Sequence, residues 1–226
     1  LGWQPREFAR ATNVFYFSDR VYTYLRYLES CPRLATGSLV LFSDADELLQ
    51  VDSVELEQSA ARLIAEAGAS VVVSAEASCM PARLGRASWE HSQKKVPGLH
   101  KKAPRCLNTG NLLGYAAPLI DLLNQTCIPC AEGHTTADIY RLYARAYSKK
   151  VESWIYSEQA KLMELYIARA PSDPKWSLDF HQKLFHPNFW WNTAADMRLE
   201  PDGRLRNAHT GSRPAFIHYN GDSKRT

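Results

Sequence analysis

Apolar and polar residues alternate along this chain in two rhythms, one helical and one of short unbroken runs. Leu39 to Phe42 is the sharpest run, and it stops abruptly at Ser43. A short apolar run bounded by turn residues reads as a buried strand of a parallel sheet. Ahead of it, Val21, Tyr24, Leu25 and Leu28 recur at helical spacing, predicting a helix from Ser18-Asp19 to Cys31-Pro32. Behind it, Asp52-Ser53 opens a second helix, with Val54, Leu56, Ala60, Ala61, Leu63 and Ile64 as its apolar positions and Gly68 as its end. Ser70 to Ala75 (SVVVSA) is a further buried-strand run. Strand, helix and strand in that order make a βαβ unit and an α/β fold.

From Glu76 to Arg105 the periodicity is lost. His91 to Arg105 carries five Lys or Arg, two His and no acid. It reads as a solvated loop, with contact to a diphosphate or an acidic acceptor as the alternative. In Cys106 to Leu119 (CLNTGNLLGYAAPL), Gly110 and Gly114 bracket apolar residues, and Asn108-Thr109-Gly110 permits close backbone approach to a ligand. Pro118 opens a helix that runs to about Asn124. Thr136–Lys149 and Ser157–Ala168 both show helical spacing, Met197 to Leu205 reads as a hairpin, and Ala215 to Ile217 reads as a last strand.

At 226 residues, with 45% hydrophobic and 23% charged residues, one ordinary globular domain is expected. A net charge of +3 is too small to argue for nucleic acid. No apolar stretch approaches the ~20 residues of a membrane span. The opening LGWQPREF has neither an initiator Met nor the basic and apolar regions of a signal peptide, so the chain reads as a piece of a longer product. Five cysteines define no disulfide framework, and Cys127-Ile-Pro-Cys130 reads as a loop disulfide or two free thiols. Asn124-Gln125-Thr126 is a glycosylation sequon.

Candidate chemistry centres on Asp44, Asp46 and Glu47, placed just past the first strand. Open α/β sheets hold their ligands there. Hard divalent cations take oxygen ligands and share them with substrate phosphates. An Asp-x-Asp metal site for a sugar nucleotide is one reading. The other is that Asp44 caps a helix while Asp46 and Glu47 favour its positive end.

Five segments in this order, FSDADELL, VVVSAEASCMP, LNTGNLLGYAAPL, SEQAKLMELYI with LDFHQKLF, and FIHYNGDSK, resemble the glycosyltransferase domain of the procollagen lysyl hydroxylase family and its stand-alone relatives. The resemblance covers nearly the whole chain. It implies a GT-A fold, a Rossmann-like α/β sandwich, and Mn²⁺-dependent transfer of glucose or galactose from a UDP-sugar to hydroxylysine. For the metal it implies Asp44, Glu47 in place of a family Asp, and His218, with Asp46 as an alternative second acid. On the donor side it implies Arg20, Asn108, Asn220, Gly221 and Lys224. Glu158 and Gln159 match a run lining the donor sugar and acceptor, Glu76 matches the glutamate of the family's SAEA segment, and Met80 replaces a family tryptophan at the acceptor entrance. The family's first βα unit, which carries part of the uridine pocket, has no counterpart ahead of Leu1. The resemblance also implies an endoplasmic-reticulum lumen setting.

Independently of the family, two carboxylates and an imidazole leave positions for diphosphate oxygens, and positive side chains such as Lys224 share the leaving-group charge. The activity that the resemblance implies is metal-dependent transfer of a hexose from a UDP-sugar to a protein or glycan hydroxyl. The alternative is a truncated or degenerate domain acting as a non-catalytic binding module.

Overall fold

The computed structural model describes residues 17–31, 34, 37–44, 47–79, 82–100, 103–126, 158–188 and 197–219. The helix predicted over Thr136–Lys149 and the Cys127–Cys130 pair lie outside them. So do Asp46, Met80, Asn220, Gly221 and Lys224.

The first helix, α1, spans Phe17–Ser30 and buries Val21, Tyr24, Leu25 and Leu28, the stripe predicted from spacing. Strand β1 (Leu39–Ser43) and the short β2 (Glu47–Leu49) lead into α2 (Ser53–Ala67). Helix α2 starts and stops where its end residues dictate. The Asp52 side chain accepts the Glu55 N–H at 2.8 Å, and Gly68, at φ 56°, supplies the left-handed cap. After β3 (Val71–Glu76) comes α3 (Gly85–Lys95), then β4 (Cys106–Tyr115), α4 (Ala116–Thr126) and α5 (Glu158–Ala168). The rest is strand: β5 (Trp176–Leu178), β6 (Phe185–Asn188), the hairpin β7 (Met197–Leu199) and β8 (Leu205–Asn207), and β9 (Phe216–Tyr219).

The central sheet has the order β1-β4-β3-β5, and a second sheet has the order β2-β9-β6. The α/β class expected from the sequence is present, with parallel and antiparallel pairings in both sheets. One expectation needs correction. Strand β1 is not the fully buried parallel strand predicted; it pairs antiparallel with β4 and alternates between half-buried and buried residues. Strand β4 also pairs antiparallel with β3, so β1 and β3 run the same way with the reversed β4 between them. The βαβ crossover is thus retained, and the intervening strand comes from later in the chain.

Alternation of side chains sorts the core into two layers. Val71 and Val73 join Val40, Phe42 and Leu112 beneath α1, α4 and α5. Val72 and Leu113 point the other way, into a cluster with α2, Phe185 and Phe216. Tyr24 stacks on Phe42 with ring centroids 3.9 Å apart, fixing α1 over β1.

The aperiodic segment after β3 is also corrected. Within it, α3 is a helix, and what it buries is polar: Ser88, His91 and Ser92. The Ser88 hydroxyl donates to the Arg105 carbonyl at 2.7 Å, and Ser92 pairs with the Tyr166 hydroxyl at 3.1 Å. Apolar periodicity could not reveal a helix anchored by hydroxyls. A disulfide joins Cys79, beyond β3, to Cys106, at the start of β4.

Candidate functional site

The site is built where β1 and β3 end and β4 is interrupted. Pairing between β3 and β4 jumps from Val73↔Leu112 to Ser74↔Asn108, which leaves Thr109, Gly110 and Asn111 out of that ladder. A bulge of this kind re-aims side chains and is common beside functional sites. On its other edge β4 stays paired to β1 through Ser43↔Asn111, and the Asp44 N–H donates to the Gly110 carbonyl at 2.9 Å. The polar run Asn108-Thr109-Gly110-Asn111 is therefore buried at the sheet's ligand-side edge.

Arg20 lies on the apolar stripe of α1, one turn ahead of Tyr24, and is only 7% exposed. Its guanidinium stands 3.1 Å from Asp44 Oδ1 and 3.7 Å from Glu158 Oε1, and donates to the Thr109 carbonyl at 3.0 Å. Burial alone would lower the Arg20 pKa, but Glu158 and Asp44 raise it, so the cation is secure. Glu158 opens α5 and is buried. Burial pushes its carboxyl above the usual range, even against the attraction of Arg20. Thr109 Oγ1 donates to Glu158 Oε1 at 3.0 Å.

A second group of contacts extends the network towards β3. Gln159 Oε1 accepts the Thr109 N–H at 3.3 Å, and Gln159 Nε2 donates to Glu76 Oε1 at 3.1 Å. Asn108 Nδ2 donates to Glu76 Oε2 at 3.0 Å, while Asn108 Oδ1 accepts the Gly110 N–H at 2.8 Å.

The third group comes from the second sheet. Strand β9 pairs with β2 so that His218 lies opposite Glu47. The ring Nδ1 is 2.9 Å from Glu47 Oε1, and Nε2 is 3.7 Å from Asp44 Oδ2. Asn111 Nδ2 donates to Glu47 Oε1 at 2.9 Å and to Ser43 Oγ at 3.2 Å. Burial raises the Glu47 pKa, opposed by the hydrogen bonds from His218 and Asn111. Gly110 makes room for the imidazole: a Cβ there would lie 2.6 Å from His218 Nε2 and 2.9 Å from Asn108 Oδ1.

Seven of the residues singled out in the sequence thus converge: Arg20, Asp44, Glu47, Asn108, Glu158, Gln159 and His218. Glu76 joins them. Thr109 and Gly110, which the sequence marks for close backbone approach to a ligand, and Asn111, which it does not single out, belong to the same network. Their signal was the polar run set inside an otherwise apolar strand, CL-NTGN-LLGY.

As a donor set, Asp44, Glu47 and His218 suit a hard or borderline divalent cation. Glu47 Oε2 is buried without a hydrogen-bond partner, as an oxygen reserved for a ligand would be. Among the described residues, however, no three His, Cys, Asp or Glu side chains are arranged to hold a metal ion. The geometry says why. Different ring nitrogens of His218 face the two carboxylates, so the imidazole stands between them rather than beside them.

No family model matches the chain, and no curated protein sequence matches it. Among solved structures it is similar to mouse xyloside xylosyltransferase 1 in its apo form. The TM-score is 0.43 at 10% identity, over 90% of this chain and 65% of that one. The chain therefore spans a little under two thirds of that protein's length.

Proposed function

We propose that the chain is a metal-dependent glycosyltransferase domain that moves a hexose, glucose or galactose, from a UDP-sugar to a hydroxyl acceptor. The observation that carries this reading is the meeting of Asp44, Glu47 and His218, from three separate strands or strand ends, beside the buried Arg20–Glu158 pair. A fold does not gather one buried and two half-buried carboxylates around one guanidinium and one imidazole for stability, because desolvating charge is costly. Such clusters occur where charge is needed for binding or chemistry.

In this reading Asp44, Glu47 and His218, with Asp46 next to them in sequence, are the residues that would hold Mn²⁺, and the bound cation would supply Lewis-acid neutralisation of the diphosphate charge. Asn220, Gly221 and Lys224, which follow β9 directly, contact that diphosphate. Arg20 holds Asp44 and Glu158 in place and adds positive charge on the donor side. Asn108 and the Gly110 backbone line the sugar. Glu158 and Gln159 face the reacting sugar and the acceptor, with Glu76 positioned by both Asn108 and Gln159. The acceptor is a hydroxyl on a protein or glycan, of the hydroxylysine type that the sequence motifs suggest. The Cys79–Cys106 disulfide and the Asn124 sequon support an oxidising, secretory-pathway setting such as the endoplasmic-reticulum lumen.

A thermal-shift titration with UDP, with and without Mn²⁺, tests the reading. A ligand at 100 times its Kd stabilises a fold by about 2.7 kcal/mol. The expected shift requires Mn²⁺ and disappears in His218→Ala. If UDP has no effect on the wild type, the chain has no working nucleotide pocket and is a non-catalytic binding module.

A further inference from the structure

Asn111 lies inside β4 with none of its surface exposed. Asparagine is a poor strand former, and burying an amide is costly unless its polar atoms are hydrogen-bonded. The register gives it a ladder partner on one side only: it pairs with Ser43 of β1 and is left out of the pairing with β3. Strand formation therefore does not account for an amide at this position.

Its hydrogen bonds do. Nδ2 donates to Ser43 Oγ at 3.2 Å and to Glu47 Oε1 at 2.9 Å. Ser43 is the last residue of β1 and Glu47 the first of β2, so one NH₂ group clasps both ends of the segment that carries Asp44. The residue before it grips the same segment by the main chain, since the Gly110 carbonyl accepts the Asp44 N–H at 2.9 Å. Asp44 and Glu47 are thus spaced from β4, by one backbone bond and one side-chain bond. Strand β2 could not do this alone, being three residues long with two of them exposed.

Two buried oxygens are left over. Among the described residues, neither Asn111 Oδ1 nor Glu47 Oε2 has a hydrogen-bond partner. They belong to the two groups that the 2.9 Å bond joins. The amide cannot be turned round to use its oxygen, because that would set Oδ1 against the Glu47 carboxylate. Buried acceptors without donors fit a site completed by a cation, and amide and carboxylate oxygens are both ligands for hard divalent ions.

We propose that Asn111 is a positioning residue for the cation: its NH₂ group fixes Glu47 relative to Asp44 and leaves Glu47 Oε2 for the metal. The inference rests on the metal-dependent reading above and adds to it a residue that acts through Glu47. Hydrogen-bond partners of ligating side chains set metal affinity by about 10–100-fold.

Titration of Mn²⁺ alone into the whole chain, followed by the electron paramagnetic resonance of the free ion, tests it. Asn111→Ala is expected to weaken Mn²⁺ binding by about 10–100-fold. Leu113→Val, two residues on in the same strand and buried in the apolar layer with α2, is the structural control. It is expected to lower the Tm and to leave the Mn²⁺ affinity unchanged. If Asn111→Ala does not fold, Ser43→Ala takes its place. It releases one end of the clasp at a half-buried position, and several-fold weaker binding is expected. Binding undiminished in the folded variants, or weakened as much by Leu113→Val, overturns the proposal and leaves the metal reading standing. A wild type that binds no Mn²⁺ overturns both.

Discussion

Glu158 illustrates how function and stability pull apart at a single residue. Its carboxyl is held above the usual pKa by burial, despite the neighbouring Arg20. Between the unfolded and the raised folded pKa the native state binds more protons, so this group's contribution to stability falls as pH rises through that window. A neutral isostere removes the cost while keeping the Thr109 hydrogen bond. Glu158→Gln is therefore expected to raise the Tm by ~2 °C near neutral pH, to flatten the decline in stability above pH ~4.3, and to abolish sugar transfer. Calorimetry across pH, paired with a transfer assay, checks all three. A lower Tm would mean that the charged pair with Arg20 outweighs desolvation. Gly110 gives the complementary case. Gly110→Ala forces its new methyl against His218 Nε2 and Asn108 Oδ1. Overpacking of this kind costs roughly 1–3 kcal/mol, and the displaced imidazole is expected to remove any Mn²⁺-dependent response to UDP while the far-UV spectrum is kept.

Among the elements, α3 shows what a hydrophobic pattern conceals. Its buried face is Ser88, His91 and Ser92, tied to the Arg105 carbonyl and to Tyr166. Removing the Ser92 hydroxyl leaves the buried Tyr166 hydroxyl without that partner, so Ser92→Ala is expected to cost about 1–3 kcal/mol in denaturant unfolding, whereas after Ser88→Ala the Arg105 carbonyl still accepts from Ser92 and the cost is about 0.5–1.5 kcal/mol. A loss within error for both would show that α3 is held by something else. Elements with strong apolar rhythm or explicit caps were legible from residues alone: α1, α2, β3, α5 and the β7–β8 hairpin. Arg20, Asp44, Glu47, Asn108, Glu158, Gln159 and His218, which the sequence motifs single out, lie together in the structure. What could not be read was how they meet. The direction of β1 depends on β4, a strand far along the chain, and the β4 bulge depends on register with β3. The three-residue β2 carries two exposed leucines and no alternation long enough to announce it, yet it places Glu47 opposite His218. Such pairings are tertiary facts that local pattern does not contain.

For the whole molecule, the Cys79–Cys106 disulfide ties the end of β3 to the start of β4, directly below Glu76. With the partners separated by 27 positions in sequence, closing that loop in the unfolded chain is worth about 3–4 kcal/mol. Reduction of the wild type is expected to lower its Tm by several degrees, whereas the Cys79→Ser/Cys106→Ser variant should melt identically with and without reductant. A wild type indifferent to reductant would argue against a disulfide in the native protein, and with it against the oxidising compartment proposed above.

The pairing of β2 with β9 also fixes when the site can come into being. Strand β9 is the middle strand of its sheet, and both β2 and β6 depend on it for their ladders. A ribosome delivers Asp44 and Glu47 long before His218, and in the interval the two acids have no sheet to hold them against an imidazole. On the reading proposed above, cation capture would wait until synthesis has passed Tyr219, and metal loading would report that β9 has been made and docked.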